Sequence, residues 1–150
     1  MNDFSMRKAR REDIPAIVGM LADDHLGTRR ESPDDLTPYE TAFAIIDADP
    51  HQYLAICEVD GRVAGTMQLT ILPGLSHKGM TRLLIEGVRV HRDARSGGIG
   101  SRMVTWAIAH AREQGCGMVQ LTTDKSRSDA HRFYERLGFE ATHLGFKMKL

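Results

Sequence analysis

The spacing of apolar residues predicts a strand and two helices in the first third of the chain. A short strand is expected at residues 6–9, and apolar side chains then recur every three to four positions, the spacing of one helix face. Acidic residues and Pro15 occupy the first turn of this helix, where both are favoured. Its apolar face consists of Ile14, Ile17, Val18 and Leu21. A second amphipathic helix is expected over residues 39–47, and residues 23–38 between the helices are expected to form a loop or a short helix.

The period of the apolar pattern then changes from that of a helix to that of a strand. Residues 53–59 and 63–72 are rich in strand-forming side chains and are separated by the pair Asp60-Gly61, a strong hairpin signal. Residues 82–90 form a third run of the same kind. Three consecutive strands with short connections predict an antiparallel meander.

The last third of the chain alternates between helices and strands. The pattern predicts a helix over residues 99–113, a strand over 119–122, a helix over 128–137 and one or two further strands within 139–150. The expected apolar face of the first of these helices consists of Ile99, Met103, Trp106, Ala107 and His110. This order predicts an α/β fold with a mixed sheet, formed by residues 1–150 as a single domain.

Composition and charge narrow the class of protein. The 150 residues carry 20 Lys plus Arg and 20 Asp plus Glu, and a net charge of zero argues against a nucleic-acid or membrane-surface protein. The apolar runs are all far shorter than the roughly 18 residues that span a bilayer, and residues 1–11 lack the apolar core of an export signal, so we expect a cytoplasmic protein. Cys57 and Cys116 lie far apart, which predicts two reduced thiols, and no metal-ligand spacing is present.

The segment that carries the most chemical information is a basic, glycine-rich turn between a predicted strand and a predicted helix. Glycines allow backbone N–H groups to converge on an anion, and a helix N-terminus adds partial positive charge. Arg92 and Arg102 flank the turn and add side-chain charge. The patterns of the Walker loop and of the dinucleotide-binding loop are both absent. The candidate anion-binding residues are Arg95, Ser96, Gly97, Gly98, Ile99, Gly100 and Ser101.

This turn resembles the signature of the GNAT N-acetyltransferases. Residues 95–100, Arg-Ser-Gly-Gly-Ile-Gly, match the family pattern [Q/R]-x-x-G-x-[G/A], and residues 130–139 match A-x-x-[LF]-Y-x-x-x-G-F. The order of elements also agrees over nearly the whole chain. The resemblance implies a mostly antiparallel sheet flanked by helices, whose splayed fourth and fifth strands form a cleft for acetyl-CoA. It further implies that residues 95–101 hold the pyrophosphate of acetyl-CoA.

The resemblance also assigns roles outside this turn. It implies that Val88 and Val90 offer backbone hydrogen bonds to the pantetheine arm and that a backbone N–H near Val88 polarises the thioester carbonyl. The family often has Asn at the position of Arg127, so this residue is a departure; it is either a ligand of a cofactor phosphate or a solvated arginine.

Two side chains are candidates for proton transfer in an acetyl transfer to an amine. Glu86 is an acid within an apolar strand, two residues before Val88 and therefore expected on the same face as Val88. A half-buried carboxylate at this position is suited to accept a proton from the amine, directly or through water. Its alternative role is an ion pair with Arg89 or Arg62. Tyr134 matches the family tyrosine, which donates a proton to the departing thiolate, although it could instead pack its helix onto the sheet. His131 and His143 are secondary candidates for carrying a proton.

The sequence leaves the acetyl acceptor open. Residues 125–150 also resemble aminoalkylphosphonate N-acetyltransferases, a pattern shared with many other small-molecule acetyltransferases. Residues 21–60 contain ten acids and only two bases, Arg29 and Arg30, so they form either a negative surface that favours a cationic amine or a solvated acidic loop and helix. Residues 1–60 as a whole carry a net charge of −7, and residues 61–150, which contain the glycine-rich turn, carry +7. We expect a small-molecule amine substrate. The alternatives are a protein acetyltransferase and a non-catalytic sensor of acyl-CoA, and a homodimer formed through a strand edge is also open.

Overall fold

The computed structural model describes residues 3–150 and contains one five-stranded sheet. The strands follow the chain order β1-β2-β3-β4-β5; β1 to β4 pair antiparallel and β5 pairs parallel to β4. This confirms the expected mixed, mostly antiparallel sheet flanked by helices. The strands are β1 (Phe4–Lys8), β2 (Gln52–Val59), β3 (Arg62–Leu72), β4 (Arg82–Val90) and β5 (Met118–Gln120).

Six α-helical segments accompany the sheet within residues 3–150, and residues 99–113 form a helix with the predicted bounds. Two of the segments are single turns of four residues. The chain forms two compact units, residues 1–120 and residues 121–150. The helices are α1 (Ile14–Ala22), α2 (Gly27–Arg30), α3 (Thr37–Ala48), α4 (Ser76–Gly79), α5 (Ile99–Glu113) and α6 (Ser128–Arg136). No helix within residues 3–150 is long and apolar enough to cross a membrane.

The hairpin between β2 and β3 forms where the sequence predicts it. Asp60 and Gly61 both have positive φ angles, 52° and 78°, as a two-residue turn of type I′ requires. Val59 and Arg62 close this turn as paired residues. The turn sets the register of the central strands.

The two faces of the sheet are covered by different helices. On one face, α5 approaches β3 so closely that a Cβ atom at Gly65 would lie 2.6 Å from the Sδ atom of Met103. Met67 and Leu69 point to this same face and are fully buried. The other face is covered by α1, whose Ile17 packs in a cluster with Ala9 and Ile56. The glycine-rich turn at the start of α5 is thereby fixed to the core.

A partly buried ion pair joins β1 to the turn that leads into α1. The Arg7 guanidinium donates two hydrogen bonds to the Asp13 carboxylate, at 2.7 and 2.9 Å, and a third bond to Glu58 at 3.0 Å. The backbone N–H of Arg10 also donates to Asp13, at 2.7 Å. The guanidinium of Arg7 lowers the pKa of the Asp13 carboxyl below its ordinary value. Asp13 therefore ties the start of α1 to the edge of the sheet.

An aromatic stack lies between α5 and β2. The Trp106 and His110 rings, four residues apart on α5, are nearly parallel, with centroids 5.2 Å apart and an interplanar angle of 9°. Tyr53 of β2 is tilted against both rings, at 5.5 and 5.3 Å. The two α5 residues were predicted to be on its apolar face and are half-buried there.

The prediction of one or two strands within residues 139–150 is wrong for this structure, which has no strand in that segment. Phe146 and the neighbouring apolar residues alternate with polar ones, as in a strand, but a strand also needs hydrogen-bonding partners on a neighbouring chain segment. Residues 139–150 have no such partner here.

Candidate active site

The glycine-rich turn between β4 and α5 has the backbone geometry of an anion-binding loop. Ser96 and Gly98 both adopt left-handed conformations, with φ angles of 71° and 73°. Gly98 is the N-cap of the 15-residue helix α5, whose first backbone N–H groups have no acceptor within the helix. A Cβ atom at Gly98 would meet no atom within 4 Å, so the space at this helix end is open. Residues 97–101 therefore present amides and the positive end of a helix dipole to an anion.

Two arginines flank this loop and share one carboxylate. The Nη2 atom of Arg92 lies 3.1 Å from one oxygen of Asp23, and the Nη2 atom of Arg95 lies 3.4 Å from the other. The Nε atom of Arg95 also donates to the backbone carbonyl of Val90, at 3.2 Å. Arg102 was expected to contribute charge to the loop, but its guanidinium lies over the Phe4 ring, 4.1 Å from the centroid. Arg92 and Arg95 are thus the cations that the structure places at the loop.

A β-bulge interrupts β4 on the way to this loop. Glu86 pairs with Gln68 of β3, whereas Arg89 pairs with Thr66, so two residues of β4 oppose one residue of β3. Gly87 supplies the left-handed conformation of the bulge, with a φ angle of 61°. The bulge changes which side chains share a face of the sheet.

The expectation that Glu86 shares a face with Val88 is wrong, because the inserted residue reverses the alternation. Gln68 and Thr66 are two residues apart on β3 and point to the same face, so their partners Glu86 and Arg89 also share that face. Val88 contributes its backbone instead, and its carbonyl accepts a hydrogen bond from the Nη1 atom of Arg89 at 2.9 Å.

The pairing between β4 and β5 covers only the first part of β4. The last paired residues are Leu84 and Gln120, and β4 continues to Val90. On the β5 side, residues 85–90 of β4 therefore have no strand partner within residues 3–150. An extended ligand can bind such a strand edge with main-chain hydrogen bonds, and this edge leads directly into the glycine-rich turn.

Glu86 is exposed, so the expectation of a half-buried carboxylate is wrong. It lies on the open second half of β4, beside the bulge rather than among the core residues. Across the sheet it faces Gln68, whose amide donates to Gln52 at 2.8 Å. Thr70 donates to the same Gln52 oxygen at 3.0 Å. Glu86 therefore stands at the end of a row of polar side chains and is accessible to a ligand.

The sequence did not single out the two acids that follow α1. Asp23 joins the two arginines of the loop, and Asp24 lies 3.6 Å from the Nη2 atom of Arg89. Leu21, at the end of α1, lies close to the bulge, since a Cβ atom at Gly87 would be 3.7 Å from its Cδ2 atom. The only sequence signal for Asp23 and Asp24 was the excess of acids in residues 21–60, and this excess does not show which of those acids contact β4.

Arg127 and Tyr134, the other predicted site residues, belong to the unit of residues 121–150. Arg127 is the N-cap of α6, and its carbonyl accepts a hydrogen bond from the backbone N–H of Ala130 at 3.1 Å. Tyr134 packs edge-on against Phe133 and Phe139, with ring centroids 5.0 and 5.7 Å apart. None of these side chains is buried.

The two cysteines do not have the character of nucleophiles. Cys57 is fully buried in β2, and burial raises its pKa to about 11. Cys116 is half-buried, and burial raises its pKa as well. A raised pKa leaves little thiolate at neutral pH, so a covalent cysteine intermediate is not favoured.

Residues 14–139 match the model of the acetyltransferase (GNAT) family. The chain belongs to the GNAT family. The match covers most of the chain and includes β4, the glycine-rich turn and α6. This confirms the expectation of an N-acetyltransferase fold.

Individual relatives of this GNAT protein agree with the assignment. It is 28% identical to the aminoalkylphosphonate N-acetyltransferase of Salmonella typhimurium over 97% of this chain and 90% of that protein. A crystal structure from Bacillus halodurans, described as that of a transcriptional regulator, has 45% sequence identity and a TM-score of 0.93 over 99% of this chain and 100% of that chain. The glucosamine-6-phosphate N-acetyltransferase of Arabidopsis thaliana shares the fold, with a TM-score of 0.76, 19% identity and 98% coverage of both chains.

Proposed function

We propose that this GNAT protein transfers the acetyl group of acetyl-CoA to a primary amine of a small molecule, by direct attack of the amine in a ternary complex. The observation that carries the proposal is the course of β4. Beyond Leu84, the edge of β4 on the β5 side has no strand partner within residues 3–150. β4 then bulges at Gly87, and the chain continues into the anion-binding turn that starts at Arg95. The pantetheine arm of acetyl-CoA needs a strand edge for its hydrogen bonds, and the pyrophosphate next to it needs an anion-binding turn.

The residues of the loop fit the phosphates of acetyl-CoA. Backbone N–H groups of residues 97–101 bind the pyrophosphate at the N-terminus of α5, together with the side chains of Arg92 and Arg95. Val88 and Val90 supply main-chain hydrogen bonds to the pantetheine. The side chains of Arg89 and Arg95 donate to the carbonyls of these two valines, and each carbonyl has a second lone pair that can accept from the pantetheine.

The transfer needs a neutral amine, a polarised thioester carbonyl and a proton for the departing thiolate. The bound thioester supplies the activated acetyl group. The backbone N–H of Val88, beside the bulge, donates a hydrogen bond to the carbonyl oxygen of the thioester. Glu86, exposed on the open part of β4, accepts a proton from the amine directly or through water, and Tyr134 donates its phenolic proton to the thiolate. Holding the amine and the thioester in line contributes more than the proton transfers do, and it lowers the activation barrier by about 7–11 kcal/mol.

The charges near the bulge favour a cationic acceptor. Glu86 and the Asp24 carboxylate both belong to the surroundings of β4 residues 86–89, where they attract an ammonium group. The similarity to the Salmonella aminoalkylphosphonate enzyme makes aminoalkylphosphonates the first compounds to try. An acidic group on such a substrate would compete with the Asp24 carboxylate for the guanidinium of Arg89.

The test is the release of free thiol from acetyl-CoA in the presence of a panel of amines: aminoalkylphosphonates, aminoglycosides, polyamines and peptides. At least one small amine should accelerate the release. Glu86→Gln should lower the rate at neutral pH by about a hundredfold with little change in the Kd for acetyl-CoA. Glu113→Gln, which removes an exposed acid from the far end of α5, is the control. An unchanged pH–rate profile in Glu86→Gln would show that Glu86 is not the base.

The name of the Bacillus halodurans relative favours one competing function, a regulator that binds acyl-CoA without turning it over. Acetyl-CoA would then bind tightly to the loop while no amine in the panel accelerated thiol release. Acceleration by peptides alone would instead indicate a protein acetyltransferase. The same assay therefore separates all three functions.

A further inference from the structure

Part of the sheet face that packs on α1 is polar. Ile56 and Thr66 are paired neighbours on this face, and both are fully buried. Farther along β3, the same face carries Gln68 and Thr70, which are only half-buried. β3 is the central strand of the sheet, and a polar side chain there needs a hydrogen-bonding partner. This part of the face is therefore suited to a polar ligand rather than to the apolar core.

Gln52 of β2 joins these polar side chains into a row. Its Oε1 atom accepts hydrogen bonds from the Nε2 atom of Gln68, at 2.8 Å, and from the Oγ1 atom of Thr70, at 3.0 Å. The amide N–H groups of Gln52 and the amide oxygen of Gln68 have no partner within residues 3–150. Gln68 pairs directly with Glu86, so the row reaches the carboxylate to which we assign the amine. Free donors and acceptors together suit hydroxyl groups, because each hydroxyl both donates and accepts.

Arg82 brings a positive charge to this same face. It lies four residues before Glu86 on β4, and side chains an even number of residues apart on a regular strand share a face. Its Nη1 atom donates to the Oε1 atom of Gln120 at 2.9 Å, and it has no acidic partner within residues 3–150. Arg89, by contrast, lies 3.6 Å from the Asp24 carboxylate. The half-buried guanidinium of Arg82 is therefore available to an anionic group of a ligand.

Gln120 sets the distance between the Arg82 guanidinium and Glu86. Gln120 pairs with Leu84, which lies between Arg82 and Glu86 on β4. Because the guanidinium reaches Gln120, it lies near the level of Leu84, two residues from Glu86. Two residues of a strand span about 7 Å. A ligand that contacts both side chains therefore holds its ammonium and its anionic group about 7 Å apart.

We propose that the acceptor of this GNAT protein is a hydroxylated primary amine with an acidic group about 7 Å from its nitrogen, such as a hexosamine phosphate. Glu86 receives the amine, Gln52, Gln68 and Thr70 bind hydroxyl groups, and Arg82 binds the acidic group. This inference rests on the proposed function and narrows its acceptor from small amines in general to one class.

The same geometry disfavours two other classes of amine. A short aminoalkylphosphonate cannot span the distance from Glu86 to Arg82, and its acidic group would instead have to displace Asp24 from Arg89. A polyamine would bring a second ammonium group to the guanidinium of Arg82, and the like charges would repel each other. Both classes should therefore be poorer acceptors than the proposed one.

The first experiment compares kcat/KM for three acceptors. Glucosamine 6-phosphate carries hydroxyl groups and an acidic group, glucosamine lacks the acidic group, and aminopentylphosphonate lacks the hydroxyl groups. We expect glucosamine 6-phosphate to be preferred over each of the others by at least about tenfold. A value for either of the others that equals that of glucosamine 6-phosphate would overturn the assigned class.

The second experiment assigns these preferences to side chains. Arg82→Met should lower kcat/KM for glucosamine 6-phosphate by about ten- to hundredfold and leave that for glucosamine unchanged, and Arg82→Lys should recover part of the loss. Gln68→Leu, which keeps the size of the side chain, should lower kcat/KM for glucosamine by about fivefold and spare aminopentylphosphonate. Arg112→Met, an exposed arginine near the end of α5, is the control. Equal losses for all three acceptors in the Arg82 and Gln68 variants would contradict the assignment; if Arg82→Met fails to fold, Arg82→Lys and Gln68→Leu still test it.

The third experiment separates this inference from the proposed function. Titration calorimetry measures the binding of glucosamine 6-phosphate to the protein saturated with coenzyme A, which cannot transfer an acetyl group. Binding that Arg82→Met weakens at least about tenfold would support the inference even if no amine accelerated thiol release. Turnover of other amines without binding of glucosamine 6-phosphate would overturn the inference and leave the proposed function in place. Absence of both binding and turnover would overturn both.

Discussion

The carboxylate of Asp23 lies 3.4 Å from the Nη2 atom of Arg95, across 72 residues of sequence. The same carboxylate holds Arg92 at 3.1 Å. An acid at the end of α1 therefore offsets part of the positive charge of the two arginines that flank the anion loop. In the proposed cosubstrate complex, this acid and the pyrophosphate would compete for the same cations.

We expect Asp23→Asn to strengthen the binding of coenzyme A. Removing the competing carboxylate should lower the Kd by about fivefold at low salt, and added salt should reduce this difference because the groups are partly exposed. Titration calorimetry at two ionic strengths measures both effects. Asp93→Asn, an exposed acid in the same loop, is the control. Weaker binding by Asp23→Asn would instead mean that Asp23 holds the arginines in the geometry that binds phosphate.

Two adjacent glycines in the loop should respond differently to alanine. Gly98 has a φ angle of 73°, so Gly98→Ala should cost about 1 kcal/mol in backbone strain even though no atom obstructs the new methyl group. The melting temperature should fall by about 2–4 °C. Gly97 lies outside the left-handed region, and its Cβ atom would make an ordinary contact of 3.7 Å with the Ala94 carbonyl oxygen. Gly97→Ala should therefore have no measurable effect in the same thermal scan, and equal losses would contradict the assignment of strain to Gly98.

The Asp13 carboxylate should make the stability of the protein depend on acid pH. Arg7 lowers its pKa in the folded state, so the contribution is complete above the ordinary pKa of about 4 and is lost as the pH falls through the lowered value. Asp13→Asn should reduce the free energy of unfolding by about 3 kcal/mol at neutral pH. This difference should narrow below about pH 4, where Asp13 in the parent protein becomes protonated. Urea denaturation at several pH values measures the difference.

Glu58→Gln is the matched control for this ion pair. Glu58 contacts the same guanidinium at 3.0 Å but is more exposed than Asp13, so its loss should cost less than about 1 kcal/mol. A difference between Asp13→Asn and the parent protein that stays constant from neutral to acid pH would contradict the assignment to Asp13.

Alkylation should distinguish the two cysteines of the folded protein. Cys57 is fully buried and has a pKa of about 11, so iodoacetamide at about pH 8 should modify it only when the sheet opens. Cys116 is half-buried and should react first. Mass spectrometry of peptides from a time course, with and without urea, measures both rates. Rapid labelling of Cys57 without denaturant would show that β2 is more accessible than its burial indicates.

The local signals in the sequence were sufficient for most elements of the sheet. Asp60-Gly61 predicted a hairpin with a two-residue turn, and both residues have the positive φ angles that such a turn requires. Residues 82–90 and 99–113 have the predicted bounds because their patterns are long and their ends are marked by turn residues or glycine.

Features that depend on contacts between distant parts of the chain could not be predicted from local sequence patterns. Gly87 within a strand was a local sign of a bulge, but only the register against β3 shows that Glu86 and Arg89 share a face. The approach of Asp23 to Arg95 depends on how α1 crosses the sheet, and no local pattern records it. The alternating pattern at the end of the chain predicted a strand within residues 139–150 that the structure does not contain, because a strand also needs a hydrogen-bonding partner.

The stacked rings of α5 give this molecule an internal optical probe. Trp106 is its single tryptophan and lies two helical turns after Ile99, the first residue of the helix whose N-terminus we assign to the pyrophosphate. The indole stacks on the His110 imidazole, so its emission is sensitive to small shifts of the helix and to the charge on that ring. We therefore expect intrinsic fluorescence to report occupancy of the loop in the unlabelled protein, and a titration with coenzyme A that leaves the Trp106 emission unchanged would contradict this.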